Sequence, residues 1–251
     1  MPHSAMTMLV LLFAVAVWAG IQNALAGGGT FLTLPALMMT GMSALAANIT
    51  STVALFPGQI TACWGARQHV ASAGGVSARM LMALSLVGAV AGAVLLLVTP
   101  SAHFARMVPW LVLFATSVFA WGSFGPKRKT PSHLGPVGAG IAQFLIALYG
   151  GYFSGGIGFL MLAALTAAGQ AIRNASATKN VLAAVINTSA VMVFLFSPQI
   201  HWLQAGVVCV GAIIGGWIGG HIINRVDEKL LRAAAVAIGA ALTVGLFIKA
   251  P

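Results

Sequence analysis

Long apolar runs and short polar gaps alternate along the whole chain. The runs fall at about 5 to 26, 30 to 41, 46 to 66, 76 to 99, 108 to 124, 136 to 153, 157 to 168, 175 to 197, 202 to 223 and 230 to 248. A membrane-crossing helix needs about 20 apolar residues, so the pattern predicts a polytopic helical membrane protein. Two runs, 30 to 41 and 157 to 168, are too short to cross. At about 1.5 Å per residue each reaches about 18 Å into a hydrocarbon layer of about 30 Å. Each follows a glycine cluster, Gly27-Gly28-Gly29 in the first half and Gly155-Gly156 in the second. The short runs are therefore expected to be broken or re-entrant helices.

That coincidence points to internal symmetry. When the second half is laid on the first without gaps so that Gly156 falls on Gly28, 12 of the 36 positions from 27 to 62 are identical. Among them are the pairs Gly28/Gly156, Phe31/Phe159, Gly41/Gly169 and Thr50/Thr178. Both copies place the glycines, the short run and a polar restart in the same order.

Composition narrows the class. The 251 residues are 60% hydrophobic and 6% charged, against about 25% charged in an average soluble domain. The 12 Lys and Arg outnumber the 2 Asp and Glu, for a net charge of +10. These cations lie in the gaps between apolar runs rather than on one solvated face, which excludes a nucleic-acid partner. Counting every run as a crossing puts ten of them, including Arg67, Arg79, Lys127, Arg173, Lys179 and Arg225, on one side, and only Arg106 and Lys249 on the other. Cytoplasmic loops carry the excess of Lys and Arg, so both termini are expected on the periplasmic side. Each half then has an odd number of crossings, and the halves are inverted relative to each other. If the short runs are re-entrant instead, each half has three crossings and inversion survives. The expected fold is an all-α polytopic membrane protein of two inverted repeats of about five segments each. The repeats are 1–126 and 131–251, joined by a basic cytoplasmic linker at 127–130.

Candidate chemistry follows from the breaks. Ala24-Leu25-Ala26 imitates a signal-peptidase site, but no Lys or Arg precedes the first run and the repeat needs it, so the run is expected to stay. Cys63 and Cys209 stand alone in apolar runs, so no disulfide, metal site or cofactor is expected. The only carboxylates, Asp227 and Glu228, lie in the last polar gap, which leaves no embedded acid for a proton relay. Inverted repeats with paired interrupted helices are the sequence pointer to a transporter site near the midplane. Glycine breaks let backbone N–H groups converge, and the positive end of the following half-helix favours an anion. This nominates Gly27, Gly28, Gly29 and Thr30 with Gly155 and Gly156 as the substrate cradle. The polar restarts add Asn48, Thr50, Ser51 and Gln59 from the first copy and Ser176, Thr178, Lys179 and Asn187 from the second. Interhelical bonding and capping are the competing roles for these side chains. Lys179 either reaches the cytoplasmic surface or serves as a counter-charge. Ser154-Gly155 resembles the serine motif of intramembrane rhomboid proteases only in part, because Tyr152 stands where that motif needs Gly, and no enzyme is expected.

The motif G-G-G-T-F-L-T-L-P at 27 to 35, echoed by G-G-I-G-F-L-M-L-A at 155 to 163, resembles the TauE/SafE sulfite exporter family of membrane transporters, also called the toluene-sulfonate uptake permease family. Asn48-Ile49-Thr50-Ser51 and the stretch from Asn174 to Asn180 with Asn187 look like that family's two polar stretches. Ala163 replaces the second proline, and Ile49 stands where the family often has Gly. The resemblance implies a secondary transporter that moves small sulfur-containing or organic anions, such as sulfite, sulfoacetate or other sulfonates, across the bacterial inner membrane. The expected partners are this small anion and the lipid bilayer, with a homodimer left open. A passive channel for a small solute and a non-transporting membrane scaffold are the alternatives.

Overall fold

A computed structural model describes residues 2–25, 28–66, 68, 70–125, 134–222 and 228–249. These form ten helices: α1 (Pro2–Leu25), α2 (Thr30–Met39), α3 (Ala44–Ala66), α4 (Ala78–Val98), α5 (Ser101–Phe124), α6 (Pro136–Tyr152), α7 (Ile157–Ala167), α8 (Ile172–Phe194), α9 (Trp202–Ile222) and α10 (Glu228–Lys249). No strand occurs among the described residues. Five of the helices, α1, α4, α5, α8 and α9, are long and apolar enough to cross a membrane. The expected linker at 127–130 lies outside the described residues.

Each apolar run became one helix, but helices extend past the hydropathy. The α5 helix begins at Ser101, not near 108, with Pro100 at its cap position and Phe104 N donating to Pro100 O at 3.0 Å. Proline suits a helix start, since its fixed φ is already helical and its missing N–H would have no acceptor there. His103 and Arg106 lower the hydropathy of these first turns without ending the helix. The other polar starts behave alike: Ser77 caps α4 by accepting from Met80 N at 3.3 Å, and Pro136 opens α6.

The short runs are short helices. With 10 and 11 residues, α2 and α7 rise about 15 to 17 Å, half of a hydrocarbon layer. Both start after a glycine with positive φ, Gly28 at 83° and Gly156 at 80°, and both end at another, Gly41 at 92° and Gly169 at 89°. In the register that sets Gly28 on Gly156, α3 and α8 also share both ends, Ala44 with Ile172 and Ala66 with Phe194.

Packing carries the correspondence further, with different offsets. The closest helix pairs are α1 with α9 and α4 with α6. A methyl on Gly211 would lie 2.7 Å from Ala16 Cβ and 3.0 Å from Phe13 O, while one on Gly88 would lie 2.9 Å from Ala147 Cβ and 2.8 Å from Phe144 O. These are the same contact made twice. Phe13 therefore answers to Phe144, and Gly88 to Gly211. The first pair is spaced more widely along the chain than Gly28 and Gly156, and the second more narrowly. The Gly28/Gly156 register thus holds for the short helix and its successor only, and gaps of a few positions separate it from the flanking helices. Likewise Thr50 Oγ1 on α3 accepts from His201 N after α8 at 3.2 Å, and Thr178 Oγ1 on α8 accepts from Ala71 N after α3 at 3.1 Å. On the outer faces Val10, Trp110, Trp121, Val137 and Trp202 are exposed, an apolar surface that suits lipid as the surrounding medium.

Candidate functional site

The two breaks meet. Glycine is required at 28 and 156 because an L side chain in this left-handed region meets its own backbone. The helix after each turns its N-terminal end to the break, with Phe31 N and Phe159 N donating to the carbonyls of Gly28 and Gly156 at 3.0 and 3.1 Å. Phe31, fully buried, is clamped between the breaks. Its ring edge lies 3.2 Å from where a Cβ would stand on Gly28 or Gly155, and 3.5 Å from that position on Gly156. A hydroxyl cluster joins the halves beside it. Thr52 Oγ1 donates to Asn48 O at 2.9 Å and sits 3.1 Å from Ser154 Oγ, which lies 3.4 Å from Thr30 Oγ1.

A cavity of about 600 Å³ opens onto this point. Both halves supply its inner wall in matched positions: Gly28 with Gly156, Thr30 with Gly158, Leu55 with Ala183, and Asn23 with Ser154 just before each break. The outer wall is one-sided, built from Gly58 and Gln59 of α3, Lys179 and Asn180 of α8, and Ala212, Gly216 and Trp217 of α9. Lys179 bends over the first turn of α7, so that a methyl on Gly158 would lie 3.6 Å from its Cδ and 3.9 Å from its Nζ. A cation and the positive end of a helix thus face the same space, an arrangement that attracts negative charge.

Of the residues expected from sequence, Gly28, Thr30, Gln59, Gly156 and Lys179 line this cavity. Gly27 lies outside the described residues. The others pack behind the wall. A methyl on Gly29 would come within 2.9 Å of Ala19 O, and Gly155 lies under the Phe153 ring. Asn48 Nδ2 donates to Tyr152 O at 3.1 Å, bracing α3 against the end of α6. Ser51 Oγ pairs with Thr33 Oγ1 at 2.6 Å, and Asn187 Nδ2 donates to Ala183 O at 2.9 Å. Thr50 and Thr178 hold the loops named above, and Ser176 is half-buried on α8. Asn48, Thr50, Ser51 and Thr178 thus connect helices or the loops between them, whereas Asn187 bonds within its own helix.

Ser154 and Asn23 emerge at the site from the structure, and Thr52 and Asn180, two further members of the polar restarts, stand with them. Ser154 escaped because its position follows the less regular end of α6, outside the stretch where the two halves match. The signal available was its place immediately before Gly155-Gly156. Asn180 stands at the position that answers to Thr52. Three amide atoms close to the breaks, Gln22 Nε2, Asn48 Oδ1 and Gln59 Oε1, are buried without a hydrogen-bond partner in the described structure. Buried polar atoms are seldom left so, and water or a bound solute is their usual partner.

No group of three or more His, Cys, Asp or Glu that would hold a metal occurs among the described residues. The architecture has close relatives in sequence. A family model for sulfite exporter TauE/SafE matches residues 12–246. The chain is 29% identical over 242 residues to "Probable membrane transporter protein YfcA" of Escherichia coli, covering 95% of this chain and 89% of that one. It is 28% identical over 243 residues to a "Probable membrane transporter protein" of Haemophilus influenzae, covering 94% and 93%. No solved structure matches. A multi-pass helical chain matched over this span, with a cavity at paired helix breaks, belongs to the TauE/SafE sulfite exporter family of membrane transporters.

Proposed function

We propose that this chain carries small sulfur-containing or organic anions across the bacterial inner membrane by alternating access, as a pair of inverted repeats, 1–126 and 131–251, with both termini periplasmic. The observation that carries this reading is the convergence on one cavity of two half-helix starts from opposite halves with Lys179. The anion head sits in the cavity against the N-terminal ends of α2 and α7, bound by Ser154 and Thr30 and by the ammonium of Lys179. The matched inner wall serves both access states. The one-sided outer wall is the path to the cytoplasm, since it is formed by the ends of α3, α8 and α9 nearest the basic gaps. This is the inward-facing state.

A thermal-shift screen of the purified protein against sulfite, sulfate, thiosulfate, sulfoacetate, taurine and simple carboxylates tests the reading, because a ligand that binds only the folded state raises the midpoint by mass action. Selective stabilisation by one oxyanion, lost in Lys179→Gln and weakened in Ser154→Ala, is expected. Folded protein that no anion stabilises sinks it in favour of a channel or scaffold.

A further inference from the structure

The outer faces of the two paired scaffolds differ. Between α4 and α6 runs a groove of about 690 Å³, with Met80 and Leu84 on one wall and Gly140, Ile141 and Phe144 on the other. On α6 it extends from Pro136 to Leu145, a rise of about 14 Å, close to the depth of one leaflet in a hydrocarbon layer of about 30 Å. One end opens at the polar start of α4. There Ser77 lines it, and Arg79, exposed, stands immediately before Met80.

Gly140 keeps the groove open. Glycine within a helix is less favourable than alanine, and helix packing does not require one here. A methyl on Gly140 would lie 3.6 Å from Leu84 Cδ1, an ordinary contact, whereas one on Gly88 would lie 2.8 Å from Phe144 O. In the register that sets Phe13 on Phe144, Gly140 answers to Leu9. In the register that sets Gly88 on Gly211, Arg79 answers to Trp202, which is exposed. The α1–α9 pair thus carries a large apolar side chain and a neutral interfacial ring where the α4–α6 pair carries an open slot and a cation.

We propose that the α4–α6 groove binds an anionic phospholipid of the bilayer, with one acyl chain lying along Gly140 and the phosphate against Arg79. The slot fits a tail by its depth and apolar lining, and the guanidinium at its polar end complements an anionic head. A zwitterionic lipid offers the same tail, but its own cation offsets the phosphate. A second copy of the chain is a poorer occupant, because a two-fold interface here would set two Arg79 side chains at the same level. The site is separate from the cavity at the helix breaks and does not depend on which solute is carried.

Native mass spectrometry tests the assignment on the full-length protein, delipidated in mild detergent and given equal amounts of phosphatidylglycerol and phosphatidylcholine with identical acyl chains. Retention of phosphatidylglycerol is expected to exceed that of phosphatidylcholine by about fivefold. Arg79→Gln should bring the two lipids to parity, and Arg79→Lys, which keeps the charge, should retain the preference. Gly140→Leu, which installs the residue of the other half, should lower retention of both. Parity in the native protein, or a preference that survives Arg79→Gln, overturns the proposal. So does retention that Gly140→Leu leaves unchanged, or a dimer that forms in place of the lipid complex. Arg79 is exposed, so the native protein and Arg79→Gln still decide if Gly140→Leu does not fold.

Discussion

The open wall of the cavity and the packed wall that answers to it are built from corresponding positions, yet one admits solvent and the other does not. Gly58 and Gly216 have room around them, with nothing within 4 Å of an added Cβ. Their counterparts are Ile186, in the Gly28/Gly156 register, and Ala93, in the Gly88/Gly211 register, and both are 0% exposed. Gln59 and Asn180 reach the cavity, whereas Asn187 and Thr52 turn their polar atoms to backbone carbonyls. The close helix contacts, Gly211 on Ala16 and Gly88 on Ala147, are the same on both sides. Openness is thus set by how α3 and α8 lie against the paired scaffolds, not by which residues the scaffolds contain. Such a difference between like parts is what the proposed alternating access predicts for one of its two states.

Substitutions can break that comparison, in descending order of effect. Ile186→Ala should cost about 2 to 5 kcal/mol, the range for a large-to-small change in a packed core, and lower the thermal midpoint accordingly. Gly156→Ala would force an alanine into a left-handed conformation, with its Cβ 2.9 Å from that of Ala115, at a cost of about 1 to 3 kcal/mol. Anion-dependent stabilisation should disappear with it. Asn48→Ala leaves Tyr152 O without its donor and should cost about 1 to 3 kcal/mol by the same measurement. Ser154→Ala removes the link between Thr30 and Thr52 and should cost about 1 kcal/mol, with a weaker anion response. Gly58→Ala should stay within about 0.5 kcal/mol of the native protein. In a background without Cys63 and Cys209, a water-soluble thiol reagent should label Gly216→Cys and spare Ala93→Cys. Equal labelling of both would remove the open-and-closed distinction.

Much of the fold was legible because hydropathy and glycine report directly on a membrane chain. Every apolar run is a helix, and the glycine clusters precede the two short ones, of 10 and 11 residues. Helix starts such as Ser101 were not, since a cap proline and tolerated polar turns extend a helix beyond its apolar part. Of the residues nominated for the site, Gly28, Thr30, Gln59, Gly156 and Lys179 line the cavity. Asn48, Thr50, Ser51, Thr178 and Asn187 looked equally suitable from sequence, and in the structure they bond to another helix, to a loop or, for Asn187, to their own helix. The choice depends on partners such as His201 and Tyr152, supplied by the other half of the chain. Ser154 was weighed only as a protease-like serine, because it lies outside the register in which the two halves match.

If the anion of the proposed function binds beside Lys179, its transport has an electrical consequence. A lone charge crossing the bilayer gains or loses about 2.3 kcal/mol for each ~100 mV of membrane potential. A monoanion carried beside an ammonium would move as a neutral unit. Voltage would then act on the return of the empty carrier rather than on the loaded step.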